Sequence, residues 1–327
     1  TTNATTITFT PPLLGSYWAS GRDPEAVAWT VTDRPTLKAA SVEDIRLEAG
    51  SVPQNYNMKF ATAYGCWIRN MNHHGWPTGG GGAGVYATFL LNCEITWNIF
   101  HDQTTVANSS YALTLRNASY CLVAHNIFTN LALASAISCL NGSVIGYNYG
   151  VGPFQYDPDT WLPEYIFTHG GHTFMNLYEG NWLYGPLQFD DVYDTSDSHN
   201  GIVRNRLIGW WGSPVTDHRY PLVFDTNKDT NTILGNIVGM QGFHNTYASC
   251  WDINASCNGT IRTNNYNVGD DGVNSAETMS VDTMLSSYAW ASKPSDFGQL
   301  QWPSLPVATT TTNTLYYTNI PAGFRNY

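Results

Sequence analysis

Apolar-rich bursts of four to seven residues, bounded by turn-forming residues, recur along this chain: VYATFLL, ALTL, SVIGY, GIVR, PLVF and TILG. Segments so short between turn signals predict β-strands, because an amphipathic helix needs a longer stretch at a period of roughly 3.6. One pairing recurs within the bursts. An Asn stands three residues after an apolar residue at Trp67/Asn70, Ile95/Asn98, Val123/Asn126, Ile145/Asn148, Tyr178/Asn181, Ile202/Asn205, Ile233/Asn236 and Ile261/Asn264. Successive Asn residues are 28, 28, 22, 33, 24, 31 and 28 residues apart.

A repeat of that length built from short strands predicts an all-β fold, a right-handed single-stranded parallel β-helix with three strands per coil. Equivalent residues of successive coils would stack about 4.8 Å apart. An Asn turned inward at a corner could then satisfy its amide against the Asn above and below. The apolar residue three positions earlier would stack in the core. Domain limits follow from where the repeat fades. Residues 1–41, with TITFT and PPLLGSYWASGRDP, form an N-terminal strand and cap region, and residues 42–268 form the coils. Residues 269–327 form a C-terminal cap and extended tail, with SAETMSVDTMLSSYAW read as a short helix capped by Ser275. Caps are expected because open solenoid ends expose strand edges.

Composition narrows the function classes. Charged residues make up 12% of the 327 and aromatic residues 14%, so the chain lacks the signature of disorder. A net charge of −11 with no basic cluster disfavours nucleic acid and anionic membrane surfaces. No apolar run approaches the roughly 18 residues of a membrane span. Low charge with abundant Thr, Asn, Gly, Trp and Tyr suits an extracellular or cell-surface protein. Among six cysteines, Cys250 and Cys257 bracket a polar loop and are the expected disulfide, while Cys66, Cys93, Cys121 and Cys139 fall within the repeats as buried thiols or bridges.

Register points to a place for chemistry. The strands ALTLR, YIFTH, PLQFD and PLVFD each end in a polar residue, so Arg116, His169, Asp190 and Asp225 should face outward on one sheet. His169, Asp190 and Asp225 would occupy three successive rungs. Two carboxylates at that spacing raise each other's pKa, the condition for one acid and one base or nucleophile. Asp191, Asp194, Asp197, His172, His199, Glu179, Arg204 and Arg206 crowd the same stretch. A solvated acidic loop and an oxygen-ligand Ca²⁺ site are the other readings of this cluster. Trp161, Trp182, Trp210, Trp211 and Tyr193 border it and offer ring faces for sugar stacking or for packing. His73-His74 reads as a surface loop rather than a metal pair, since neighbours on a strand point to opposite sides. The GGGGAG run that follows opens no helix and lacks the Lys-Ser/Thr of a phosphate loop.

The coil pattern resembles the pectate lyase-like superfamily of parallel β-helix proteins. More narrowly, HGGHTFMNLYEGN, QFDDVYDTSDSHN and IVRNRLIGW, with the Lys293-Pro294, Trp302-Pro303 and Ile320-Pro321-Ala322 tail, resemble uncharacterised bacterial secreted β-helix proteins. The resemblance implies polysaccharide as the ligand class. It does not extend to polygalacturonases, since Asp190-Asp191 is followed too soon by Ser198-His199-Asn200-Gly201 and no R-I-K follows. The expectation is a secreted polysaccharide-cleaving protein, by hydrolysis before elimination. Its acid/base pair would be Asp190 and Asp225, supported by Asp191 and His169. Arg204, Arg206, His172, Trp182, Trp210 and Trp211 would contact substrate. Hydrolysis calls for no cofactor; a lyase would use Ca²⁺, with Arg219 or Lys228 as base. The rivals are a non-catalytic surface or fibre protein and a trimeric tailspike-type depolymerase.

Overall fold

In the computed structural model the described residues are 36–48, 56–76, 82–103, 110–131, 133–153, 165–189, 197, 199–209, 221–224 and 231–240. Backbone strands are also described at Thr2–Asn3, Thr6–Ile7, Thr246–Ser249, Asn264–Val268 and Met284–Ala289. All regular structure among them is β. The chain visits three parallel ladders in fixed order. The first holds Leu37–Lys38, Tyr56–Tyr64, Ala83–Leu91, Tyr111–Ser119, Ser135–Asn141, Ile166–Thr168, Leu187–Phe189 and Leu222–Phe224, followed by Asn264–Val268 and Thr246–Ser249. The second holds Ser41–Glu43, Trp67–Arg69, Glu94–Thr96, Leu122–Ala124, Val144–Gly146, Leu177–Glu179 and Gly201–Val203. The third holds Arg46–Glu48, Asn72–His74, Ile99–His101, Ile127–Leu131, Tyr149–Pro153, Trp182–Leu183 and Arg206–Leu207. Thr232–Val238 is long enough to pair with the second ladder at one end and the third at the other. The result is an all-β fold of long parallel sheets, consistent with a parallel β-helix or solenoid.

Corners turn on a left-handed residue followed by an inward polar one. Between the second and third ladders, Asp44, Asn70, Trp97, His125, Tyr147, Gly180, Arg204 and Gly235 all have positive φ. The next residue starts the column that the repeat foretold. Nδ2 of Asn98, Asn126, Asn148, Asn181 and Asn205 each donates to Oδ1 of the Asn one coil on, at 2.9–3.0 Å. Each Oδ1 also accepts the backbone N–H of the preceding rung, from Met71 N→Asn98 Oδ1 at 3.0 Å to Asn205 N→Asn236 Oδ1 at 2.8 Å. The second amide hydrogen goes to the backbone carbonyl of the inward apolar residue one coil back, as in Asn126 Nδ2→Ile95 O at 2.9 Å and Asn205 Nδ2→Tyr178 O at 2.9 Å. Ile68, Ile95, Val123, Ile145, Tyr178, Ile202 and Ile233 form the buried column beside it.

Two members expected in this column stand elsewhere. Asn70 takes the left-handed position instead, so Met71 fills its rung and Ile68, not Trp67, stacks under Ile95. Asn264 opens a strand of the first ladder, paired with Thr246. The helix expected near Ser275 is also corrected in part: Met284–Ala289 is a strand beside Thr232–Val238, where it covers an otherwise open sheet edge. At the start of TITFT, Thr6–Ile7 pairs antiparallel with Thr2–Asn3.

A second column lies at the corner between the first and second ladders. Here each rung's backbone N–H donates to the side chain one coil on, whatever its chemistry. Ala40 N reaches Cys66 Sγ at 3.4 Å, Cys66 and Cys93 donate in turn to the thiols of Cys93 and Cys121, and Cys121 N reaches Ser143 Oγ at 2.9 Å. Ser143 N then donates to Asn176 Oδ1, Asn176 N to Asn200 Oδ1 and Asn200 N to Asn231 Oδ1, at 2.9–3.0 Å. Cys66, Cys93, Cys121 and Cys139 are free thiols. Cys250 and Cys257 lie outside the described residues.

Candidate functional site

The strands that lead into the expected site are in register on the first ladder. Thr168 pairs with Phe189 and Phe189 with Phe224, and the two Phe rings stack inside at 4.9 Å between centroids. The intervening outward residues Phe167, Gln188 and Val223 are also buried, so this outer face is covered at those rungs. His169 follows Thr168, half-buried, with its ring stacked on Phe167 at 4.4 Å. Gly170 packs so closely that a Cβ there would lie 2.7 Å from Ser138 Cβ, which explains a glycine after His169. His172 is exposed in a left-handed turn. Arg116 is exposed too, but its neighbour on the next rung is Ser138. Asp190, Asp191, Asp194, Asp225, Trp161, Tyr193, Trp210, Trp211, Arg219 and Lys228 lie outside the described residues.

Other members of the expected cluster are drawn apart. Asp197 is fully buried, its Oδ1 accepting the Thr173 N–H at 2.9 Å and its Oδ2 the Thr168 hydroxyl at 3.3 Å. Glu179 is buried and ion-paired with Arg204, the corner residue between the second and third ladders, whose side chain is itself largely buried. A buried pair of this kind is held because removing either partner would strand a charge. Trp182 and Arg206 are register partners on the third ladder, not the first. The cause is alternation: the residue after an inward Asn begins a new strand and must point outward. Arg206 Nη1 donates to Gly239 O at 2.9 Å, and Trp182 meets Tyr149 edge-on at 5.9 Å.

Two features had no expectation attached. Trp97, His125 and Tyr147 stack on successive corners, with centroids 4.1 and 5.7 Å apart, and Trp97 is 55% exposed. Burial lowers the His125 pKa from 6.5 to about 4, so this ring is neutral at pH 7. An open groove of about 260 Å³ lies over the first corner, lined by Asn92, Glu94, Tyr120, Leu122, Gly142 and Val144. Its one carboxylate, Glu94, is paired with Arg69 at 2.9 Å, so the groove carries no acid/base couple. Among the described residues, a single trio of side chains has metal-ligand spacing: His74, His101 and Asp102. It lies on the third ladder, away from His169. The described residues contain no helix long and apolar enough to cross a membrane.

No family model matches the chain, and no curated protein matches it. Among solved structures it is similar to the DFA-IIIase from Arthrobacter chlorophenolicus A6, solved in complex with GF2. The identity is 11% and the TM-score 0.31, over 79% of this chain and 56% of that chain. The chain therefore spans little more than half the length of that protein, and a likeness at this score carries no argument about activity.

Proposed function

We propose that the three ladders close into a right-handed parallel β-helix, capped by residues 1–41 and by a tail over 269–327, that acts outside the cell on polysaccharide. The hand follows from the strong right-handed preference of connections between parallel strands. Cleavage is hydrolytic, with Asp190 and Asp225 as acid and base, Asp191 and His169 beside them, and His172, Trp210 and Trp211 toward the sugar. The observation that carries this reading is the in-register set of strands ending at Thr168, Phe189 and Phe224. Outward residues that follow such strands on successive rungs lie about 5 Å apart. Aromatic rings on the outer surface, Trp97 above all, supply stacking faces of the kind sugars use. Arg206 and Trp182 serve on this reading as a distant subsite on the third ladder, while Arg204 supports the wall.

The test is a polysaccharide panel read for new reducing ends and for unsaturated uronates, with and without chelator. Asp190→Asn and Asp225→Asn should each lower release of reducing ends by about 10²–10⁴-fold without moving the melting temperature. Unsaturated, Ca²⁺-dependent product would move the assignment to a lyase. Full activity in both variants would reject the site. The unbroken parallel ladders also favour a second reading, a stiff non-catalytic surface or fibre element. It requires no product from any polysaccharide and assembly into end-to-end or lateral polymers at high concentration.

A further inference from the structure

On the outer face of the third ladder, Glu48, His74 and His101 are register partners on three successive strands. His73 and His74 lie in the strand Asn72–His74 and not in the expected surface loop; His73 turns into the core against Phe100, which forces its neighbour His74 outward. Asp102 follows His101 at a left-handed corner, which brings its carboxylate back over the two rings. One ligand atom from each of His74, His101 and Asp102 lies within 4.8 Å of the other two. His74 Nε2 is 3.9 Å and His101 Nδ1 is 2.7 Å from Asp102 Oδ2.

The remaining polar atom of each residue is already engaged. His74 Nδ1 meets Glu48 Oε1 at 3.1 Å, His101 Nε2 meets Asn72 Oδ1 at 2.8 Å, and Asp102 Oδ1 accepts from Asn130 Nδ2 at 2.8 Å. Outer partners of this type fix imidazole tautomers and aim the inner atoms at a metal. A chance surface ion pair has no reason to satisfy all three outer atoms while turning all three inner ones together.

We propose that His74, His101 and Asp102 bind a divalent transition cation of the Zn²⁺ type, with Glu48, Asn72 and Asn130 orienting them. Two imidazole nitrogens and one carboxylate suit such a borderline ion, whereas Ca²⁺ and Mg²⁺ prefer all-oxygen shells. Tetrahedral ligands about 2.0–2.1 Å from zinc stand roughly 3.3 Å apart. The 2.7 Å pair must therefore open and the 3.9 Å pair close as the ion enters. The proton shared by His101 Nδ1 and Asp102 Oδ2 leaves to solvent as the ion enters. Three protein ligands leave a fourth position for water on a surface where Asp102 is 48% exposed. The ligands stand on adjacent strands of the third ladder, so the ion would clamp two rungs. It stands apart from the proposed sugar chemistry on the first ladder.

The test is calorimetric titration of the tag-free, chelator-stripped full chain with Zn²⁺, and with Ca²⁺ in parallel. One equivalent of Zn²⁺ should bind and Ca²⁺ should not compete. Glu48→Ala should weaken Zn²⁺ binding about 10-fold, and His74→Gln, His101→Gln and Asp102→Asn should each weaken it further. These side chains lie on the surface, and unchanged far-UV circular dichroism would show that the variants fold. On the unaltered chain, Zn²⁺ should shield His74 and His101, but not the exposed His172, from diethyl pyrocarbonate. Absence of saturable Zn²⁺ binding, or undiminished binding in the His74→Gln/His101→Gln double variant, would overturn the proposal.

Discussion

Replacing Asn148 by Ala probes the amide column at its centre. Asn148 is buried, and its Nδ2 donates to Asn181 Oδ1 at 3.0 Å and to Val123 O at 3.1 Å. Its Oδ1 accepts from both Nδ2 and the backbone N–H of Asn126, each at 3.0 Å. Truncation removes all four bonds and leaves two donors of Asn126 without their acceptor. A buried donor left unsatisfied costs about 1–3 kcal/mol, so the total should reach roughly 4 kcal/mol. Asn70→Ala is the control. Asn70 is exposed, holds only a corner and bonds Asp44, so its loss should cost about 1 kcal/mol or less. Urea unfolding followed by circular dichroism would measure both, read as a shift in midpoint at constant slope. If Asn148→Ala cost under about 1 kcal/mol, or if Asn70→Ala cost as much as Asn148→Ala, the column would not carry the stability assigned to it.

Further expectations concern the corners and thiols. Gly180→Ala should cost about 2–3 kcal/mol, because φ is +66° and a Cβ would lie 2.6 Å from the Tyr147 ring, while Gly65→Ala, with open space around it, should cost only about 1 kcal/mol. Burial pushes the Cys121 thiol up to about 12, so iodoacetamide at pH 8 should label Cys139 well before Cys121, as mass spectrometry would resolve. His125 stays neutral in the fold down to about pH 4, whereas the unfolded chain protonates it near pH 6.5. Stability should therefore fall as pH drops through that window, and His125→Phe should flatten the fall in a series of melting curves.

The fold was legible where one chemical solution repeats. Six rungs use Asn to accept the same backbone N–H, and an identical residue at a near-constant interval is visible without coordinates. The column at the other corner obeys the same demand but answers it with Cys66, Cys93, Cys121, then Ser143, then Asn176, Asn200 and Asn231. A search on residue type misses it, although the common feature, a small acceptor just before each second-ladder strand, stands in the sequence. Asn70 misled for the opposite reason: Asn suits left-handed corners as well as inward rungs. Trp182 and Arg206 were grouped with His169 by nearness in sequence. The corners at Gly180 and Arg204 send them to a different ladder. The pairing of His74 with His101 was hidden because it needs the register of two coils, and the 28-residue spacing from Asn70 to Asn98 supplies 27 once Met71 is recognised as the rung.

The central claim is that residues about one repeat apart in sequence are neighbours on adjacent rungs. Ile99 and Ile127 test it, because they are register partners on the third ladder and each is 38% exposed. Their Cα atoms should stand about 4.8 Å apart, within the range that a disulfide spans. In an Ile99→Cys/Ile127→Cys variant, mild oxidation of the folded protein followed by peptide mass spectrometry should recover the 99–127 link in high yield, and an Ile99→Cys/Met175→Cys control should give none. A variant that remains unlinked at 99 and 127 while folded, or one that links equally well to 175, would contradict the stacked coil.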